Sequence, residues 1–198
     1  MLRTFYSWAT KAGYITTDPA LTLDPVKTVQ ALPRPASENA YRQALAKADP
    51  RVTLMLRLSA ELGLRRGEVA GLHSSDLNPD SSGGYWLDGL GKGGKRRPIP
   101  VPSDLATIIR QQPKGWLFPN GKGGHLSAQH VGKLVANVLP PNVSMHQLRH
   151  RFATRAYQAR HDIYSVQHLL GHASPATTQR YIALDLNQLR DVVNAVAS

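Results

Sequence analysis

Four stretches of this sequence set polar or charged groups beside apolar, core-forming residues, and each could do chemistry. GLRRGE carries Arg65 and Glu68. A helix starting there would place two guanidinium groups near unpaired backbone N–H groups, which favours an anion. The ordinary alternative is a surface Arg–Glu pair three residues apart. GLGKGGKRRPIPV carries Lys92 between glycines that let a backbone approach a ligand closely. Residues 89–95 satisfy part of a phosphate-binding loop. Arg96 stands where that loop needs a magnesium-binding Ser or Thr, however, and a proline-containing strand follows instead of a helix, so a nucleotide site is rejected. A solvated hairpin tip is the alternative, and GKGG recurs at 121–124.

MHQLRH places His146 and Arg149 on one helical face, with His150 four residues from His146. Two histidines at that spacing can hold zinc, and His168 and His172 repeat it. Gln147 occupies the position of a zinc-hydrolase glutamate and Arg149 on the same face repels a cation, so no metal is expected. LLGHASPATTQRY sets Tyr181 nine residues after His172, across a turn and into a new helix. A buried tyrosine bonded to a histidine is the structural alternative. Taken together, two arginines, a lysine, two histidines and a tyrosine fall in or beside segments that read as buried or constrained. Burying so many cations is costly unless an anion compensates them, and a phosphodiester is the obvious anion.

The composition agrees. Twenty-four basic against thirteen acidic residues give a net charge of +11 and a pI near 10.3. That balance points to an anionic partner, nucleic acid first, although a soluble protein can be merely basic. The 198 residues, 41% of them hydrophobic, suffice for one domain with a core plus a small appendage. The absence of cysteine excludes disulfides, thiolate nucleophiles and cysteine metal sites. No apolar run approaches the ~20 residues of a membrane span. The amphipathic start, MLRTFYSWATKAG, lacks the features of a secretory signal. A cytoplasmic, nucleoid-associated protein without membrane contact is expected.

The elements that must position these residues follow from periodicity. Phe5, Trp8, Ala9 and Ala12 predict a helix over 2–13, ended at Gly13. Pro25, Pro33 and Pro35 mark 24–36 as an extended linker. Ser37 caps a helix running to about Asp49. Residues 51–72 are apolar-periodic, with Val52, Met55, Leu58, Ser59 and Leu62 on one face, an interruption at Gly63 and a short helix over 68–72. YWLDGL and RRPIPV flank a glycine-rich turn and predict a β-hairpin over 85–101. Further helices are expected over 104–111, 128–139, 146–159, 163–170, 175–183 and 186–196, with Ser174–Pro175 as a strong helix start. The sequence contains no internal repeat and no low-complexity tract. The fold class is mainly α with one small antiparallel β-sheet.

In this order and spacing, GLRRGE, the lysine hairpin, HQLRH, LLGH and TTQRY resemble the catalytic domain of the tyrosine recombinases, or phage-type integrases. Any one box is weak; five in order, with a hairpin in the right interval, are strong. The resemblance covers residues 37–198 as a catalytic domain, and more loosely 1–23 as the last helix of an N-terminal DNA-clamping domain. The earlier helices of that clamp have no counterpart here, which implies either a fragment or a short natural recombinase, with an exposed apolar face on the first helix.

The resemblance implies the roles. Tyr181 attacks the scissile phosphate to leave a 3′-phosphotyrosine, His146 serves as general base, and Arg65 and Arg149 hold the non-bridging oxygens. His172 donates a hydrogen bond to the same phosphate, Lys92 protonates the departing 5′-oxygen, and Glu68 and His150 orient the arginines and the helix. It implies no metal, ATP or other cofactor. It also implies double-stranded DNA as partner, a homo-tetramer on paired sites and accessory DNA-bending or directionality proteins. The amphipathic segment 186–196 either packs in cis or docks onto a neighbouring subunit. The alternatives are a type IB topoisomerase and a non-catalytic DNA-binding regulator of the same fold.

Overall fold

In the computed structural model, which describes residues 2–24, 34–90 and 96–171, an apolar helix forms the centre of the fold. That helix, α3 (Pro50–Leu62), follows α2 (Glu38–Lys47), and α1 (Leu2–Lys11) precedes both. The helices expected over 175–183 and 186–196, and most of the linker, lie outside the described residues. So do Lys92, His172 and Tyr181. The chain divides into two compact units, 1–32 and 33–198.

In the first unit α1 ends near Gly13, whose φ of 78° lets the chain reverse as the Tyr14 N–H donates to the Ala9 carbonyl. Leu2, Phe5 and Trp8 are exposed, as the amphipathic pattern implies. Phe5 and Trp8 meet at 5.9 Å between ring centroids, and Trp8 meets Tyr14 at 5.4 Å.

The second unit begins as expected, with the Ser37 hydroxyl accepting the Ala40 N–H. The helix expected to run to Asp49 stops earlier, at Lys47. Asp49 caps the next helix instead, its carboxylate accepting the Val52 N–H at 2.8 Å with Pro50 at the first helical position. Helix α3 is buried on more than its one anticipated face: Leu54, Leu56 and Ala60 are buried along with Val52, Met55, Leu58, Ser59 and Leu62. It packs against α6 (Ala128–Val138) and α7 (Met145–Arg160). Each fully buried leucine there is worth roughly 1.5–3 kcal/mol of transfer free energy.

After α3 come α4 (Arg66–Ala70) and a three-stranded antiparallel sheet in the order β1 (Leu77–Pro79), β2 (Tyr85–Leu90), β3 (Arg96–Val101). The predicted hairpin is β2–β3, in register from Tyr85 opposite Val101 to Leu90 opposite Arg96. Strand β1 was not expected: three residues, one of them proline, leave no alternation to detect. Among the described strands β3 lies at the sheet edge, and so tolerates Pro98 and Pro100, which face solvent; Arg97, Ile99 and Val101 face inward. The remaining described α-helices are α5 (Ser103–Arg110) and α8 (Ile163–Leu170), the latter packed on α7 and on β3. Among the described residues no helix is long and apolar enough to cross a membrane.

Candidate active site

Gly63 makes the first corner of the site. It closes α3 in the left-handed region at φ 68°, and a Cβ there would lie 2.5 Å from the Phe152 ring. Only glycine meets both demands. The chain then passes through Leu64 to Arg65, the N-cap of α4. Glu68, at the third helical position, turns back so that its Oε2 accepts the Arg65 N–H at 2.7 Å and its Oε1 accepts from Arg65 Nη1 at 2.9 Å. The pair is not the surface contact that the spacing also allowed. The Glu68 side chain is only 6% exposed, against 36% for Arg65. Buried carboxylates need partners, and Glu68 has two more: Arg97 pairs with both its oxygens at 3.0 and 3.1 Å, and Arg149 Nη1 lies 3.7 Å from Oε2. Burial works to raise the Glu68 pKa. The Arg97 hydrogen bonds, the Arg65 N–H and the charges of Arg97 and Arg149 outweigh it and hold the group below the usual carboxylate range.

Helix α7 supplies the second side. Its start is fixed by Gln147, whose Oε1 accepts the Ser144 N–H at 2.7 Å, so the residue in the zinc-hydrolase position serves as a helix cap. Met145 and His146 form the first turn. Arg149, one turn on, is 2% exposed. It donates from Nη1 to the Gly63 carbonyl and from Nη2 to the Leu170 carbonyl at 2.5 Å, joining the ends of α3 and α8. The buried Ser59 hydroxyl reaches the carbonyls of Leu64 (3.1 Å) and Met145 (3.2 Å), the residues just before Arg65 and His146.

The His146 and His150 rings meet edge to face with centroids 4.2 Å apart. Burial, followed by the charges of Arg149, Arg65 and Arg66, lowers the pKa of His146. Burial, His146 and Arg149 push His150 down to about 4. Both imidazoles are therefore neutral at pH 7, the state in which His146 can accept a proton.

Arg65, Arg66, Lys133, His146 and Arg149, among others, line an open pocket of about 460 Å³, and no carboxylate is among its described lining residues. Such a recess suits an anion. Of the expected site residues, the structure therefore brings together Arg65, Glu68, His146, Arg149 and His150. In the sequence Lys92 falls between β2 and β3, His172 directly follows Gly171 and Tyr181 comes later; all three lie outside the described residues. Among the described residues no group of three or more His, Asp or Glu side chains could hold a metal ion. Sequence reasoning missed Arg97, 5% exposed and central to the Glu68 cluster. The signal was available in RRPIPV, where Arg97 shares the inward phase of Ile99 and Val101.

A mainly helical domain with one small antiparallel sheet and a basic pocket built from GLRRGE and HQLRH defines the class. The chain belongs to the phage integrase family, whose model matches residues 35–188. It is 34% identical over 210 residues to the tyrosine recombinase XerC of Xanthomonas campestris pv. campestris (strain B100), and spans 98% of its own length and 64% of that relative's. XerC of Xylella fastidiosa (strain M23) is 33% identical over 213 residues, which span 70% of that protein. The XerH site-specific recombinase bound to difH substrate in a pre-cleavage complex shares the fold with a TM-score of 0.68 and 25% identity, over 95% of this chain and 60% of that one. The integrase of mycobacterium phage Brujita does so with a TM-score of 0.63 and 26% identity, over 94% and 66%.

Proposed function

We propose that this protein breaks and rejoins duplex DNA as a site-specific recombinase, with Tyr181 as nucleophile. The observation that carries the reading is the Glu68 cluster. One buried carboxylate faces Arg65, Arg97 and Arg149, beside a pocket that Arg65, His146 and Arg149 line. Positive charge in excess within a partly desolvated recess is stabilised by an anion and strengthens as charge builds on a transferring phosphoryl group. Family membership and the names of the relatives, all recombinases or integrases, support the same chemistry.

In the proposed reaction the Tyr181 oxygen attacks the scissile phosphorus, forming the P–O(Tyr) bond as the P–O5′ bond breaks. Neutral His146 takes the phenolic proton and Lys92 gives one to the departing 5′-oxygen. Arg65 and Arg149 hold the non-bridging oxygens, and His172 donates a further hydrogen bond. Glu68 fixes the guanidinium of Arg65, while His150 supports His146 through its ring contact. A 5′-hydroxyl from a second strand reverses the sequence, so the phosphodiester count is conserved. Exchange between two duplexes requires paired sites, and 186–196 is the proposed docking segment of a homo-tetramer. A topoisomerase would stop at resealing the same strand; the recombinase names of the relatives favour exchange.

The test uses a pool of nicked duplexes with randomised flanks, from which the nicked fragment diffuses away after cleavage. Wild-type protein is expected to retain DNA through denaturing electrophoresis, and Tyr181→Phe to retain none. Retention by Tyr181→Phe at the wild-type level contradicts the assignment. Binding to intact duplex should weaken steeply with salt, with a slope of about −0.9 per phosphate contacted.

A further inference from the structure

Arg97 has no part in the roles above, yet it touches three parts of the site's framework, Glu68, Leu169 and Gly171. Two of its nitrogens pair with the two oxygens of Glu68 at 3.0 and 3.1 Å, and its Nε donates to the Leu169 carbonyl at 2.8 Å. It also lies against Gly171: a Cβ there would stand 3.1 Å from Arg97 Cδ and Nη1. Gly171 itself holds φ 60° as the cap of α8, so the glycine preceding His172 is required both by its backbone and by the guanidinium beside it. The backbone of Arg97 belongs to β3, which begins four residues after Lys92 in the sequence. A guanidinium is the side chain that can do this, since its planar fork satisfies a carboxylate bidentately and leaves Nε for a third acceptor.

We propose that Arg97 is a positioning residue. It joins the strand behind Lys92, the Arg65–Glu68 pair and the end of α8 that leads into His172, so that groups from three separate segments act on one phosphate. The inference rests on the phosphoryl-transfer reading above. It assigns to Arg97 no contact with DNA. Its effect is exerted through Glu68, which keeps the Arg65 guanidinium in place, and through Leu169, which anchors the last turn before His172.

The test compares Arg97→Ala and Arg97→Lys with wild type in three measurements: duplex binding, single-turnover cleavage at saturating nicked DNA, and amide exchange at Leu169–Gly171. Arg97→Ala is expected to bind DNA within about threefold of wild type and to cleave it about 100-fold more slowly, the scale on which small misplacements act. The Gly171 amide, which donates to the His168 carbonyl, is expected to exchange roughly tenfold faster as the α8 end loosens. Arg97→Lys should fall between, because one ammonium reaches Glu68 or Leu169 but lacks the fork. Should Arg97→Ala fail to fold, the lysine variant decides. Cleavage by a folded variant at the wild-type rate overturns the inference, as does a loss confined to DNA binding. Exchange is read without DNA, so unaltered Gly171 protection overturns it even if the wild-type protein cleaves nothing, an outcome that would separately count against the functional reading.

Discussion

Glu38 and Glu68 each face three arginines, and helix α7 contributes to both clusters. Arg42, Arg151 and Arg155 lie within 3.9 Å of Glu38; Arg65, Arg97 and Arg149 lie within 3.7 Å of Glu68. Arg149 and Arg151 are two residues apart, about 200° around a helix, so they leave α7 on nearly opposite sides. The clusters differ in burial. The Glu38 side chain is 43% exposed and that of Glu68 is 6% exposed. At Glu38 water and salt screen the excess positive charge, and the cluster serves as a clamp between α2 and α7, with Arg151 also over the Tyr41 ring at 4.3 Å. At Glu68 the same stoichiometry is shielded from solvent, so the excess persists and can act on an anion. Burial, more than the choice of residues, separates a structural clamp from a candidate active site.

The largest expected difference follows directly. Glu68→Ala leaves two buried guanidiniums, Arg97 and Arg149, without their carboxylate and should cost about 3–5 kcal/mol, against about 1–3 kcal/mol for Glu38→Ala, which strands one, Arg151. Urea unfolding measures both, and equal losses would break the comparison. In single-turnover cleavage, Arg65→Ala should be slower by about 10²–10³-fold, the scale for removing a donor from a developing oxyanion, while Arg155→Ala should match wild type.

Protonation sharpens the contrast. His150 is held near 4 in the folded chain, below its ordinary 6.5, and His146 is shifted the same way. Between those values the unfolded chain binds protons that the folded chain does not. The histidine contribution to stability therefore falls as pH drops from about 6.5 to about 4 and levels off below. Both glutamates are held below the usual carboxylate range, so a second loss follows as pH falls further through their folded values. Thermal unfolding across pH should show the first loss reduced in His150→Gln and the second unchanged. The smallest effect belongs to Arg42→Ala, whose partner is 3.9 Å away at the surface. Its cost should be below about 0.5 kcal/mol and vanish in 1 M salt, while that of Glu68→Ala persists.

The parts of the site legible in the sequence are those held by local spacing. Arg65 and Glu68 sit three apart, as do His146 and Arg149, so a helical period was enough to pair them. Gly63 was readable as an interruption, but neither it nor Gly171 was readable as a contact point, since Phe152 and Arg97 come from distant segments. Arg97 meets Glu68 across 29 residues, and Ser59 meets the Met145 carbonyl across 86. No local pattern encodes such contacts, although the inward phase of Arg97 marked it as a cation in a core position. The end of α2 was misplaced because Asp49 reads as a helix terminus and serves as the next helix's cap.

The central claim, that this cluster activates a phosphodiester for attack by Tyr181, is tested most directly by mapping the covalent adduct. Wild-type protein trapped on nicked duplex would be digested, and the DNA-bearing peptide sequenced by mass spectrometry. The expected adduct is a nucleotide joined through its 3′-phosphate to Tyr181, with a free 5′-hydroxyl on the released strand. Linkage to another residue, or through a 5′-phosphate with a free 3′-hydroxyl, would contradict it.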